Sequence, residues 1–237
     1  MIKPVSDPAE ASWLANVFEG LQVRGVRLAR PIRSSDGRWV VAGWNAHRFV
    51  SGRPAARHED VLKAAVALHD ALVGVPEPRF LRERSDLYSW ADRLAWGQIE
   101  DTDRRTGTGY GARKFAGLAA GRRPVAAPSQ VVHGDLFGNV LFAGDAPPAI
   151  VDITPYWRPA GWAVAVIAVD ALAWGDAPIE ILGEWAQVAQ APSAQWSQLI
   201  RRALMFRLAV SLAHPLTPPN DLVTMLSTVE RIEPFLE

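Results

Sequence analysis

Apolar side chains recur at three- and four-residue steps from Trp13 through Leu14, Val17 and Phe18 to Leu21, which is one stripe of a helix. Asp7 is placed as its N-cap, Pro8 fits the first helical position, and Glu10 completes a capping-box-like spacing. Two extended runs follow, VRLARPIRS and RWVVAGWNAHRFV. They flank Ser35-Asp36-Gly37 and predict an antiparallel hairpin closed by that turn. Ser51-Gly52-Arg53-Pro54 then breaks the strand pattern and predicts a linker.

Beyond residue 52 the pattern is mainly helical. HEDVLKAAVALHDALV sets Val61, Ala65, Leu68 and Leu72 on one face, and Asp86 to Trp96 predicts another helix. Residues 101–128 are rich in Arg and Gly and read as a loop with room for one short helix. Within it, Gly107-Thr108-Gly109-Tyr110-Gly111 has the look of a phosphate loop. It follows no clear strand and opens no clear helix, so a flexible surface loop is expected. A compact block comes next: the apolar strand end VVHGD, a loop, the short strand VLF, a turn at Gly144-Asp145, and a second short strand, AIVDI. The apolar segment 160–174 and the stretch from Ser193 to Ala213 predict helices, with a last one after Pro219.

Composition narrows the function classes. Lys and Arg together number 25, as do Asp and Glu, so the net charge is zero; coating a nucleic acid or a polybasic grip on a membrane needs excess positive charge. Cysteine is absent, which removes disulfide scaffolds, thiolate nucleophiles and Cys-ligated zinc. No apolar run reaches the ~18 residues of a membrane span, and MIKPVSDPAE lacks the apolar core of a signal peptide. A cytoplasmic protein without nucleic-acid or membrane partners is expected.

The chemistry concentrates in His133-Gly134-Asp135, Asn139 and Asp152. Two short strands flank a polar loop, and a second carboxylate ends the return strand. A hairpin of this kind brings positions 135, 139 and 152 to one edge although they are apart in sequence. Phosphoryl transfer from a nucleotide needs such a set: one carboxylate accepts a hydroxyl proton, while an amide oxygen and another carboxylate hold Mg²⁺ against the phosphates. Taken singly, these residues also suit turns, since Asp and Asn bond their own backbone.

The strings HGDLFGNVLF and IVDITPYWRP and the helix containing Val169-Asp170-Ala171-Leu172 resemble the aminoglycoside phosphotransferase and choline kinase group of kinase-like enzymes, and within it a set of actinobacterial-type members. The resemblance implies an α+β, protein-kinase-like two-lobe fold with ATP and Mg²⁺ as cofactors and a small-molecule acceptor. It implies Asp135 as the catalytic base, Asn139 and Asp152 as magnesium ligands, and Asp170 as a buried brace for the catalytic loop. Met1-Ile2-Lys3-Pro4-Val5 resembles the strand carrying the phosphate-binding lysine, here Lys3. Its glutamate partner is Glu10, which lies in line with Leu14, Val17 and Leu21, whereas Glu19 lies half a turn round. Glu10 is equally a capping residue. Arg48-Phe49-Val50-Ser51-Gly52 resembles the hinge that meets adenine, giving Phe49 and Val50 as nucleotide contacts, and Leu68-His69 resembles the pair that ends the next helix.

The expected division is a partial N-terminal lobe and hinge over 1–52, then a helical C-terminal lobe over 53–237 with its catalytic loop at 131–142 and metal-binding segment at 150–159. The N-terminal lobe is truncated: the two strands and Gly-rich loop that precede the lysine strand in this family are not in the sequence. Either the reading frame opens late or the lid over the phosphates is lacking. The family pattern also sets four residues between base and asparagine, where only Leu136, Phe137 and Gly138 stand here. Gly138 is the residue expected to absorb the difference. His133 is expected to bond the loop backbone rather than act as a base, and Trp157 to line the acceptor pocket. His47, His58 and His214 show no ligand spacing. The function expected is an ATP- and Mg²⁺-dependent phosphotransferase acting on a hydroxyl of a small molecule. A catalytically silent nucleotide-binding or interaction module is the alternative, and a metal-dependent phosphohydrolase a weaker third.

Overall fold

The computed structural model describes residues 1–189 and 192–236. They form two compact units: residues 1–83 with 130–157, and residues 84–129 with 158 onward. Residues 53–83 thus go with the first unit, and the segment expected as a linker at 51–54 lies inside it.

In the first unit, β1 (Ile2–Pro4) leads to α1 (Pro8–Gly20). Asp7 caps the helix, its carboxylate accepting the N–H groups of Ala9 and Glu10. The expected stripe is only partly sealed: Ala15 and Phe18 are buried, while Trp13, Leu14 and Val17 are half-exposed. The strands β2 (Arg27–Leu28), β3 (Pro31–Ile32), β4 (Val40–Val41) and β5 (Trp44–His47) follow.

These strands correct the expected hairpin. Arg27–Leu28 leaves the first run and pairs in parallel with a later strand, so only Pro31–Ile32 reaches β5. The tight hairpin closes instead at Ala42-Gly43, between β4 and β5. Both residues sit at positive φ, 50° and 79°, as a two-residue primed turn requires. Pro31 has no N–H to donate and splits the first run into two short pieces. β1 pairs antiparallel with β5, setting Lys3 opposite Asn45.

A second small sheet holds β6 (Arg53–Pro54), β8 (Val140–Ala143) and β9 (Ala146–Ile150), with β2 on its far edge. Between β6 and these strands come α2 (His58–Ala71) and α3 (Phe80–Glu83). β7 (Gln130–His133) pairs with β10 (Pro155–Arg158).

The second unit is helical: α4 (Leu87–Ala95), α5 (Tyr110–Ala120), α6 (Ala160–Trp174), α7 (Ile181–Val188), α8 (Ser193–Ala213) and α9 (Pro219–Ile232). α6 is apolar apart from Asp170 and buried from Gly161 to Leu172, as an unpatterned hydrophobic helix must be. It packs on α8, which also carries α4 and α5. The expected loop at 107–111 is corrected here: Tyr110 and Gly111 open the 11-residue α5, and Gly111 lies against Leu212 where a Cβ would clash.

Candidate active site

The candidate catalytic segment begins where β7 ends. His133 is buried, and its Nδ1 accepts the backbone N–H of Asp135 at 3.2 Å and of Thr154 at 3.4 Å. That leaves the ring proton on Nε2, 3.5 Å from the Val151 carbonyl. One neutral imidazole therefore touches both the loop that carries Asp135 and the turn that carries Asp152. It bonds backbone, as expected from the sequence. The His133 backbone N–H donates in turn to Nε2 of His69, buried on α2, at 3.2 Å. Burial above all, and then the adjoining His133, lowers the His69 pKa to about 3.

Backbone bonds add two further ties. The Gly134 N–H donates to the Thr154 carbonyl at 3.0 Å, and the Val151 N–H to the Asn139 carbonyl at 3.0 Å. The loop between is a short 3-10 turn, Phe137–Asn139. Gly138 does not adopt a positive φ, and nothing surrounds the place of a Cβ there. The special role expected for that glycine is corrected. Asn139 directs its amide NH₂ at Asp135, donating to the backbone oxygen at 2.6 Å and to carboxylate Oδ2 at 3.2 Å.

Asp152 adopts φ 50°, a left-handed conformation that Asp tolerates better than most residues. Its carboxylate meets the ammonium of Lys3 in an ion pair between the end of β9 and strand β1. Burial lowers the Lys3 pKa. Of the two glutamates on α1, Glu19 is taken by Arg33 at 3.0 Å on the surface, while Glu10 is half-buried in the first turn. In the hinge segment Phe49 is 79% exposed, Val50 is half-buried, and Arg48 N–H bonds Arg30 O at 2.7 Å. Trp157 lies on β10, half-buried. Asp170 lies in the second unit, where Arg207 of α8 grips both of its oxygens at 2.7 and 2.5 Å.

Beside the Lys3–Asp152 pair opens a cavity of about 160 Å³. Strand register explains its lining. Lys3 faces Asn45 across β1 and β5, and Pro31 faces His47 across β3 and β5, so these four side chains share one sheet face. Ala11, Leu14, Ala15 and Phe18 of α1 form an apolar wall, and residues 150–153 complete it. Asn45, His47 and Thr154 escaped the sequence reading. The signal for the first two was the strand alternation itself, which becomes usable once Lys3 is known to pair with Asn45.

No family model matches the chain, and no curated protein matches it in sequence. Solved structures do match. A thermostable mutant of aminoglycoside phosphotransferase APH(4)-Ia, in ternary complex with AMP-PNP and hygromycin B, superposes with a TM-score of 0.56 at 12% identity, covering 99% of this chain and 85% of that one. Spectinomycin phosphotransferase APH(9)-Ia, bound to ADP and spectinomycin, gives 0.56 at 13% identity, covering 100% and 82%. The Plasmodium vivax ethanolamine kinase gives 0.55 at 9% identity, covering 97% and 74%.

The chain has the kinase-like phosphotransferase fold. Within that fold, the HGD-to-Asp152 block is the segment that His133 and two backbone bonds knit together. No helix among the described residues is long and apolar enough to cross a membrane.

Proposed function

We propose that this protein transfers the terminal phosphoryl group of ATP to a hydroxyl of a small molecule. One observation carries the reading: the His133 imidazole binds the N–H groups of Asp135 and Thr154 together, so base loop and metal turn are set by a single side chain. The complexes of neighbours with AMP-PNP or ADP and a small acceptor support the same reaction class.

The residues suit magnesium in a specific way. Among the described residues no group of three or more His, Asp or Glu side chains is placed to hold a metal alone. Mg²⁺ in nucleotide sites takes one or two protein oxygens and completes its shell with phosphates and water. Asp152 and the Asn139 amide oxygen, opposite the NH₂ that faces Asp135, are the hard oxygen donors for such an ion. Bound there with the nucleotide, magnesium would neutralise phosphate charge.

The chain's own groups do the rest. Asp135 accepts the acceptor hydroxyl proton as the new O–P bond forms and the bond to the ADP oxygen breaks. Asn139, donating to Oδ2, fixes the orientation of that carboxylate. Lys3 transfers its attraction from Asp152 to the incoming phosphates, and Phe49, Val50 and Glu10 lie on the segments that border the nucleotide. Scattered acids and arginines, not the dense acidic surface that suits a polycation, mark the chain after Asp176.

Labelled ATP incubated with pooled hydroxyl metabolites tests the reading. Asp135→Asn is expected to lower transfer at least about a hundredfold, the usual scale of general-base catalysis, with nucleotide affinity nearly intact. Equal transfer by the variant would remove Asp135 from its role. Binding of ATP without transfer to any acceptor would mark a silent nucleotide-binding module instead.

A further inference from the structure

In the second unit the guanidiniums of Arg122, Arg158, Arg201 and Arg202 gather in a cluster that the transfer reaction does not use. Arg122 follows α5, Arg201 and Arg202 lie on α8, and Arg158 ends β10. Arg158 and Arg202 both meet the ring of Trp96, at 4.7 and 4.9 Å from its centre. Two glycines make room for the others: a Cβ at Gly97 would strike Arg122, and one at Gly121 would strike Arg201.

Charge in this cluster is not balanced. Asp92 accepts from Arg158 through both of its oxygens, at 2.9 and 2.6 Å. Arg122 and Arg201 bond the last carbonyls of α4 and α5, at Leu94, Ala119 and Leu118, and a helix end carries only about half a negative charge. Glu233, the acid that acts on Arg201, is held by Lys114 at 2.6 Å. Roughly two of the four positive charges are therefore left without an offset. Arg202 is the extreme case: it is 5% exposed, and its bonded partners are Gln198 and the Arg123 carbonyl. Burial first, and then Arg122, Arg158 and Arg201, lower its pKa to about 10, so it is still charged at pH 7.

Two donors in the cluster lack acceptors. Nε of Arg202 and the indole Nε1 of Trp96 are buried and have no hydrogen-bond partner among the described residues. Buried polar atoms are nearly always bonded, and neither of these groups can accept. The Gln198 side-chain oxygen is already shared by Arg202 and the Arg123 N–H. A water accepting from both donors would turn its own hydrogens toward guanidiniums, whereas an anion brings acceptors alone. Gln98 and Arg123, bonded to Arg158 and Arg202, are exposed, so the cluster reaches the surface.

We propose that Trp96 and Arg202, with the neighbouring Arg122 and Arg158, form a binding site for a phosphate group, carried as the free ion or as the ester of a small molecule. Guanidinium forks match phosphate oxygens, and a dianion offsets the charge left over. The site is independent of the transfer reaction and makes no use of Asp135, Asn139 or Asp152.

Melting temperatures of the full chain titrated with inorganic phosphate, glycerol phosphate or acetate test this, with ionic strength held constant by sodium chloride. Inorganic phosphate or its ester should raise the native midpoint saturably, by at least about 3 °C. Stabilisation by general exclusion of phosphate from the surface would instead grow without saturating and persist in every variant. Trp96→Phe keeps a ring and removes one donor, and should weaken the affinity read from the titration at least fivefold. Arg202→Met should abolish saturation; if it fails to fold, Trp96→Phe and Arg122→Met decide. A merely structural cluster would lower the midpoints of these variants and leave their phosphate response unchanged. The stronger of the two phosphate ligands names the source of the group. An equal rise in acetate overturns the phosphate assignment. No saturable response in the native protein, or the same response in every folded variant, overturns the site and leaves the phosphotransferase reading untouched.

Discussion

His69 accepts the backbone N–H of His133 through Nε2 at 3.2 Å, so one buried histidine holds the strand end on which another binds the Asp135 loop. This contact requires a neutral ring, and burial holds the His69 pKa at about 3 against an ordinary 6.5. The unfolded chain takes up the proton near pH 6.5 and the folded chain does not. Stability is therefore full above pH 6.5 and falls as pH drops toward 3. At pH 5 the loss is about 2 kcal/mol from this group, with a smaller contribution of the same sign from His47. Urea midpoints at pH 7 and pH 5 measure it, and His69→Gln should shrink the difference by more than half.

The short turn after Asp135 makes a different prediction. Gly138 is exposed, has no positive φ, and has open space where a Cβ would stand. Gly138→Ala should raise stability by about 0.4–1 kcal/mol by restricting the unfolded chain. A loss in denaturant midpoint would show that the turn needs glycine after all.

Gly52 is the opposite case. Its φ is 135°, and a Cβ there would come within 2.9 Å of the Phe142 carbonyl on β8. Neither strain nor clash can relax cheaply, since the obstacle is backbone. Gly52→Ala should cost more than about 1 kcal/mol, read as a drop in melting temperature.

How much of this was legible in the sequence varies with the distance over which each element is determined. Helices α6 and α8 run over the expected residues, because long stretches rich in apolar helix-forming residues are local signals. Asp7 and Asp86 cap α1 and α4 through their own side chains. Within 101–128 room for one short helix was legible but the start of α5 was not, because its cap is Gly109, which has no side chain to announce it. Its buried Gly111, Phe115 and Leu118 repeat at helical steps and were the available clue. The hairpin was misplaced because two-residue strands are assigned by their partners, and the partner of Arg27–Leu28 lies 122 residues on, at Ala149. In the site, Asp135, Asn139 and Asp152 could be picked out by type and spacing. The ties that join them, His133 to Thr154 and His69 to His133, cross 21 and 64 positions and leave no local trace.

Asp152 separates charge from backbone shape. Its φ of 50° suits Asp or Asn but strains a β-branched residue. The ion pair with Lys3 is partly solvated and worth no more than about 1 kcal/mol. Asp152→Asn should therefore keep nearly native stability while abolishing phosphoryl transfer. Asp152→Val should lose transfer and, in addition, about 1–3 kcal/mol from backbone strain. Equal melting temperatures for the two variants would refute the strain.

Asp170 poses the sharpest stability test, because it is 3% exposed in the apolar α6 and its carboxylate is gripped at both oxygens by Arg207, itself 9% exposed. Taking two charges out of water is costly, and their attraction roughly offsets that cost only while both are present. Arg207→Met leaves the carboxylate in a helix surrounded by Val, Ala and Leu, and should cost about 3–5 kcal/mol. Asp170→Leu alone should be similarly harmful, as it leaves a buried guanidinium. The double variant, with neither charge, should recover most of the loss, since apolar residues of similar volume often replace a buried pair at little cost. A double-mutant cycle by chemical denaturation measures the coupling directly. Additive losses, with no recovery in the double variant, would mean that the two side chains hold the second unit together through other contacts than their mutual one.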